Sequence, residues 1–180
     1  MKNIFLASLL LIQVNSFAQF TNADLQASGL TCSMCSKAIY KSLEKVSFVE
    51  SITSDIKTST YKIQFKKDVA VNFDDLKKAV TDAGFSVAVL KVNTLFNNVK
   101  IENDSHIQIA GNTLHFMNVK QQTLNGYKMI TIVDKNFIPT KDFKKYEKLT
   151  TLKCYQTGKM DNCCSKAAIT KSERIYHSTI

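Results

Sequence analysis

Hydrophobic and polar positions follow two different periods along residues 23–92. Leu25 and Ala27 alternate with polar neighbours, which is typical of a strand with one buried face, and Gly29 ends this alternation. Helical spacing and strand alternation then succeed one another up to residue 90. The pattern predicts, in order, a strand ending before Gly29, a helix with Ala38, Ile39, Leu43 and Val46 on one face, strands at Val49–Ile56 and Tyr61–Phe65, a helix with Leu76, Ala79, Val80 and Ala83 buried, and a strand at Val87–Leu90.

The second predicted helix carries signals at both of its ends. Asn72 is a favoured N-cap residue, and Asp74 and Asp75 in the first turn complement the helix dipole. Gly84 ends the helix. The resulting order, βαββαβ, predicts a four-stranded antiparallel sheet with both helices on one face, which is an α+β, ferredoxin-like sandwich.

A polar stretch at residues 93–105 follows, and we predict that it is the linker between two domains. Turn signals dominate residues 106–180, which we predict to form a second small, mainly-β domain. Asn125 and Gly126 are typical of a two-residue hairpin turn. The elements predicted here are a three-stranded meander at Ile107–Ile109, Leu114–Val119 and Met129–Val133, a helix at Lys141–Leu149 capped by Thr140, and a strand at Arg174–Thr179.

Residues 1–18 have the three parts of a secretory signal peptide. Lys2 supplies the positive charge, residues 4–14 are mostly apolar, and Ser16–Ala18 places small residues at a signal-peptidase site. The apolar stretch is shorter than the roughly twenty residues that span a membrane. We therefore predict a periplasmic or otherwise exported protein that is soluble after removal of the signal peptide and does not insert into a membrane.

The chain is basic, with 24 Lys and Arg residues against 15 Asp and Glu residues and a formal net charge of +9. The lysines are scattered rather than clustered, which indicates a solvated surface, and an exported protein meets little nucleic acid. We therefore expect no nucleic-acid partner. The sequence also carries no hydrolase, metalloprotease or phosphate-binding motif, so we expect a binding protein and not an enzyme.

The segment with the most specific chemistry is Gly-Leu-Thr-Cys-Ser-Met-Cys at residues 29–35. The predicted elements place Cys32 in the loop after the first strand and Cys35 in the first turn of the first helix. Two intervening residues let both sulfurs meet at one point, and the positive end of the helix dipole favours thiolate over thiol. Two exposed thiolates suit a soft ion such as Cu(I) or Hg(II). Zinc normally takes four ligands, and residues 23–92 hold no histidine and no third cysteine.

These residues resemble the heavy-metal-associated domain, which occurs in copper chaperones, in copper-transporting ATPases and in the periplasmic mercury-binding protein. The resemblance covers residues 23–92. It consists of Gly-x-Thr-Cys-x-x-Cys between a strand and a helix, the βαββαβ order, and Asp-Ala-Gly-Phe at residues 82–85. Leu30 stands where the family usually has Met, and Phe85 stands where many bacterial chaperones have Tyr. Leu30 is expected to pack under the cysteine loop as that Met does.

The resemblance implies an exported soft-metal-binding protein that captures or transfers copper(I), or another soft metal ion, through Cys32 and Cys35. The implied partners are the metal ion and a metal-transporting membrane protein or another metal-binding protein. The alternative is a periplasmic thiol–disulfide oxidoreductase that uses the same cysteine pair. Against it, the chain has no Trp, its one proline is Pro139 in the other half, and its element order differs from that of the thioredoxin fold.

A second group of cysteines comprises Cys154, Cys163 and Cys164. We predict that Cys154 forms a disulfide with one of the adjacent pair, because export favours oxidation. The alternative is a second soft-metal site formed by the three sulfurs. Met34 and Met160 are interpreted as packing or surface residues rather than thioether ligands. The histidines fall on predicted strands and are interpreted as structural; they are His106, His115 and His177.

Overall fold

The computed structural model of the chain describes residues 19–30, 32–160 and 173–180. The predicted signal peptide at residues 1–18 lies outside the described residues. Over the described ranges, none of the helices has the length and apolar composition needed to traverse a lipid bilayer. The elements in these ranges are β1 (Gln19–Ser28), α1 (Ser33–Leu43), β2 (Val49–Asp55), β3 (Thr60–Phe65), α2 (Phe73–Asp82), β4 (Ser86–Ile101), β5 (Ser105–Ile109), β6 (Asn112–Phe116), β7 (Gln122–Ile132), α3 (Thr140–Glu147), α4 (Cys154–Thr157) and β8 (Ile175–Thr179).

The first four strands and the first two helices form the predicted ferredoxin-like arrangement. The strands lie in the order β2-β3-β1-β4, and each neighbouring pair is antiparallel. Strand β1 lies between β3 and β4, with Leu25 opposite both Tyr61 and Leu90. These three side chains are fully buried, and α1 and α2 contact each other over the same hydrophobic core. The α+β fold predicted for this half is confirmed.

Helix α2 begins and ends at residues whose local chemistry explains the boundary. Asn72 is its N-cap, and the side-chain oxygen accepts a hydrogen bond of 3.0 Å from the backbone N–H of Asp74. Gly84, with a φ of 87°, lies just beyond the other end. The residues that this helix buries are Phe73, Leu76, Ala79 and Val80.

Strand β4 is much longer than the pattern predicted, because it continues to Ile101. It pairs with β1 on one side and, from Leu90 onward, with β7 on the other. The prediction of a linker at residues 93–105 is therefore wrong in its local structure, since most of that stretch is strand. The described strands make one eight-stranded sheet in the order β2-β3-β1-β4-β7-β8-β6-β5. The division into separate domains at 23–92 and 106–180 stays a prediction.

The predicted hairpin turn at Asn125 and Gly126 is also wrong, because β7 runs through both residues. The pairing of β4 with β7 shifts register between Phe96 and Val99, opposite this point. Gly126 has a φ of 72° and Asn98 has a φ of 50°, so residues in the left-handed region form a bulge within two paired strands. Asn-Gly favours a positive φ, and here that conformation occurs in a bulge instead of a turn.

The strands of the second half are ordered differently from the predicted meander. Strands β5 and β6 form a hairpin, but β8 lies between β6 and β7, parallel to β6 and antiparallel to β7. A parallel pair joins strands that lie far apart in sequence, and neither strand carries a local signal for it. Helix α3 is present, although its N-cap is Pro139, and Thr140 is its first helical residue rather than its cap.

Aromatic packing joins α2 to the C-terminal strand β8. The ring of Phe73 makes edge-to-face contacts with Phe20, at 5.0 Å between centroids, and with Tyr176, at 4.9 Å. The hydroxyl of Tyr176 donates a hydrogen bond of 2.8 Å to Asn72. The helix that the sequence assigned to the first half therefore shares its core with a strand from the second.

An ion-pair network reinforces this contact. Arg174 donates to Asp74 at 2.8 Å and to Asp134 at 3.1 Å. Burial by itself raises the pKa of Asp74, but the hydrogen bonds and charges of Arg174 and Lys77 outweigh it and lower that pKa to about 2. The N-terminus of α2 is thus attached by charge to the residue that precedes β8.

Candidate metal site

The two cysteines of the first group lie at the start of helix α1, where the sequence predicted them. Cys32 is the N-cap residue, and its sulfur accepts a hydrogen bond from the backbone N–H of Cys35, with the nitrogen and sulfur 3.4 Å apart. Cys35 is in the first turn of the helix. The first N–H groups of a helix have no carbonyl partner within it and carry the positive end of its dipole. Both effects stabilise negative charge on sulfur.

The sulfur atoms of Cys32 and Cys35 are 2.8 Å apart. Cys32 is exposed and Cys35 is partly buried, so the pair lies at the protein surface. Soft ions accept few ligands, and a site with an open side leaves room for another ligand to enter. The pair can therefore bind a soft ion without enclosing it, once the sulfurs move apart to the roughly 3.7 Å or more that two bonds of about 2.3 Å to one ion require.

The turn that leads into the cysteines depends on Gly29. Its φ of 84° is a conformation that residues with a Cβ adopt only with strain. A Cβ at this position would lie 3.9 Å from the ring of Phe85. Leu30 and Phe85 are both partly buried and pack against the main hydrophobic core. These contacts anchor the backbone just before the first cysteine, as the sequence predicted for Leu30.

Tyr61 lies beneath the start of α1 and was predicted only as a buried strand residue. Its hydroxyl oxygen is 3.0 Å from Ser36 Oγ and 3.2 Å from the carbonyl oxygen of Ser36. Burial raises the pKa of Tyr61, the hydrogen bond with Ser36 opposes that shift, and negative charge on Cys35 adds to it. Tyr61 therefore stays protonated and holds the residue that follows Cys35. The sequence offered a signal for this contact, because Tyr61 was predicted to be buried and a buried hydroxyl normally has a hydrogen-bond partner.

The two methionines considered as thioether ligands have different environments. Met34, between the cysteines, is 72% exposed. Met160 is buried and packs in a small cluster with Cys154 and Ile175. These positions agree with the interpretation of one methionine as a surface residue and the other as a packing residue.

Cys154, the described member of the second cysteine group, lies beside two histidines that were interpreted separately from the sequence. Cys154 is buried, and its sulfur lies 3.7 Å from His106 Nε2 and 3.7 Å from His115 Nδ1. Cys163 and Cys164 lie outside the described residues, so the disulfide between Cys154 and one of them stays a prediction. The interpretation of the histidines as isolated structural residues needs correction, since two of them share one environment with a thiol.

His115 is held as a neutral ring. Burial, together with the nearby His177 and His106, lowers the pKa of His115 to about 2. Its contact of 2.9 Å with Asp104 is therefore a hydrogen bond from a neutral imidazole rather than an ion pair. A signal for this grouping was present in the sequence, because a two-residue turn at Ala110 and Gly111 places residue 106 directly opposite residue 115.

Residues 24–86 match the family model of the heavy-metal-associated domain. The resemblance predicted from the residues is confirmed for this part of the chain. The matched part contains both Cys32 and Cys35, and the match supports metal binding by this half. A comparison with curated proteins found no match.

The chain is also similar in part to solved structures of metal-handling proteins. The CopZ metallochaperone has 24% identity and a TM-score of 0.35, and the alignment covers 38% of this chain and 100% of that chain. Oxidized MerP from Ralstonia metallidurans CH34 has 29% identity and a TM-score of 0.33, with 39% and 96% covered. The yeast copper transporter domain CCC2A has 24% identity and a TM-score of 0.33, with 37% and 90% covered. These TM-scores are low, so the argument for the family rests on the match to residues 24–86.

Proposed function

We propose that the chain is an exported soft-metal-binding protein that takes Cu(I), or alternatively Hg(II), through Cys32 and Cys35 and passes the ion on. The observation that carries the proposal is the convergence of the two sulfurs at the N-terminus of α1, within the segment that matches the heavy-metal-associated domain. Export rests on the sequence of residues 1–18.

The choice of a soft ion follows from the ligands that this half of the chain offers. Residues 24–86 contain two cysteines, no histidine and no third cysteine. Cu(I) and Hg(II) are stable with few sulfur ligands, whereas zinc in a structural site takes four ligands. The N–H groups at the start of α1 reduce the cost of holding two thiolates close together.

Transfer would proceed by ligand exchange at the exposed side of the site. A thiolate or thioether of a partner binds the ion, and the sulfurs of Cys32 and Cys35 leave one at a time. The partner is a metal-transporting membrane protein or another metal-binding protein. Transfer of this kind requires that the cysteine pair be reduced or already loaded with metal.

The alternative function, thiol–disulfide exchange by the same cysteines, has one observation in its favour, the short distance of 2.8 Å between the two sulfurs. The matched family is a metal-binding one, and the element order of this half is ferredoxin-like. A turnover assay with insulin as the disulfide substrate separates the two functions. Reduction of insulin above the background of a simple dithiol would favour the oxidoreductase.

The direct test is a Cu(I) titration of the reduced protein without residues 1–18, in competition with a chromophoric Cu(I) ligand. We expect the Cys32→Ser/Cys35→Ser variant to bind one equivalent fewer than the unmodified protein. The matched control is Met34→Ala, which removes the exposed thioether between the cysteines and should leave stoichiometry and affinity unchanged. An unchanged stoichiometry in the double variant, with affinity within about tenfold or 1.4 kcal/mol, would contradict the proposal.

A further inference from the structure

Three histidines lie in a row across neighbouring strands of the second half. The antiparallel pairing of β5 with β6 sets His106 opposite His115, and the parallel pairing of β6 with β8 sets His115 beside His177. The rings of His106 and His115 are stacked, with centroids 4.4 Å apart and planes 13° apart. His115 and His177 are fully buried, and His106 is partly buried. A buried histidine row is an unusual use of core positions, because imidazole nitrogens require partners.

Helix α4 places a thiol against this row. Cys154 is the first residue of α4, and its side chain is fully buried. Its Sγ, the Nε2 of His106 and the Nδ1 of His115 all lie within 4.8 Å of one another. A thiol has one proton, so it can donate to only one of the two ring nitrogens that face it. A metal ion would use all three donor atoms at once.

The outer contact of His115 is the one expected of a metal ligand. His115 Nε2 donates to the carboxylate of Asp104, which leaves the lone pair of Nδ1 on the side of Cys154. The same carboxylate oxygen accepts a hydrogen bond of 2.8 Å from Thr150. Asp104 therefore fixes the tautomer and the orientation of the ring, as carboxylates do for histidines bound to zinc.

The distances also fit an ion between the donors. Bonds of about 2.3 Å to sulfur and about 2.0 Å to nitrogen, at tetrahedral or trigonal angles, place sulfur and nitrogen about 3.5–3.8 Å apart. The two distances from Cys154 Sγ to the nitrogens of His106 and His115 are both 3.7 Å. Two nitrogens bonded to one ion lie about 3.3–3.5 Å apart, and each binds in the plane of its ring. The nitrogens of His106 and His115 lie within 4.8 Å of each other on stacked rings, so metal binding requires the two rings to tilt until both nitrogens point at the ion.

We propose that His106, His115 and Cys154 form a second metal site, which takes a late first-row transition ion, and copper in preference to zinc. One thiolate and two imidazoles are a donor set of intermediate softness, to which copper binds more tightly than the other divalent first-row ions. The described residues supply three donors, which are sufficient for Cu(I), whereas zinc takes a fourth ligand. This site differs from the three-sulfur site considered from the sequence, because it uses two histidines with Cys154. It is independent of the proposed function of Cys32 and Cys35.

The test isolates this site in a variant in which Cys154 is the only cysteine, made by the substitutions Cys32→Ser, Cys35→Ser, Cys163→Ser and Cys164→Ser. We expect this variant to bind one equivalent of Cu(I), measured by elemental analysis after gel filtration and by competition. Co(II) serves as a spectroscopic probe and should give the absorption of a thiolate ligand. Binding of no metal would overturn the proposal, and so would binding that lacks the thiolate signal.

Two further substitutions in that background test the individual ligands. His106→Gln changes the most exposed of the three donors and should lower the affinity at least about 100-fold, because even an outer-contact change costs about 10–100-fold. Asp104→Asn keeps a hydrogen-bond acceptor for His115 but removes the negative charge, and it should lower the metal affinity less than His106→Gln does. Far-UV circular dichroism checks that each variant is folded. Unchanged affinity in a folded His106→Gln variant would overturn the proposal.

Discussion

The contact of Asp74 with Arg174 predicts that a charge in the first half of the chain contributes to the stability of the whole protein. Asp74 is in the first turn of α2, and Arg174 precedes β8. The substitution Asp74→Asn removes the charge and keeps the shape of the side chain. We expect it to lower the free energy of unfolding of the whole protein at neutral pH, because it weakens a contact between segments about 100 residues apart.

The magnitude follows from the pKa of Asp74, which is lowered from 3.8 to about 2. One pKa unit corresponds to 1.36 kcal/mol, so the charged form contributes about 2 kcal/mol. The side chain is 31% exposed, and solvent screening makes this value an upper bound. Because the pKa is lower in the folded protein, the stabilisation is fully present above about pH 4 and is lost as the pH falls toward 2.

The assay is urea unfolding of both proteins at neutral pH and at several pH values down to about pH 2. The matched control is Asp75→Asn, since Asp75 is exposed in the same helical turn and has the same relation to the helix dipole. Asp75→Asn should lower the free energy of unfolding by at most about 1 kcal/mol. The reasoning would be refuted if Asp74→Asn lowered the free energy of unfolding by the same amount at every pH down to 2. It would also be refuted if Asp74→Asn and Asp75→Asn lowered it equally.

Three further predictions concern the first site and its support. Tyr61→Phe removes the hydroxyl that contacts Ser36 and should lower the free energy of unfolding, measured in urea, by about 1 kcal/mol. The Cu(I) affinity should stay within about tenfold of that of the unmodified protein, and an unchanged free energy of unfolding would count against a structural role of the hydroxyl. Gly29→Ala forces a residue with a Cβ into a φ of 84° and should cost about 1–2 kcal/mol in the same measurement, whereas an unchanged midpoint would contradict the strain argument. A fragment of residues 19–101, which keeps all of β4, should bind one equivalent of Cu(I) with less than about tenfold loss of affinity in competition. A larger loss in that fragment would show that the C-terminal half supports the first site.

The first half was predictable because its signals are local. The alternation around Leu25, the helical spacing of both helices and the cap at Asn72 each lie within a few residues of the element they define. The positions of Cys32 and Cys35 followed from the same elements. The contact of Tyr61 with Ser36 did not follow from them, because it joins a helix to a strand that lies further along the chain.

The second half was predicted poorly because its arrangement depends on pairings between distant segments. Asn125 and Gly126 signal positive φ, but only the long partner strand β4 decides that the signal serves a bulge and not a turn. Strand β8 enters the sheet between β6 and β7, and nothing in its own sequence indicates either neighbour. The grouping of His115 with Cys154 follows from these pairings and from the position of α4.

The most direct test of the account is X-ray absorption at the copper edge of the protein loaded with one equivalent of Cu(I). The measurement uses the His106→Gln variant, which weakens the second site and leaves Cys32 and Cys35 unchanged. We predict that sulfur atoms alone coordinate the copper, with two of them supplied by these cysteines. Nitrogen or oxygen ligands would contradict the account, and so would an identical spectrum from a variant that also carries Cys32→Ser and Cys35→Ser.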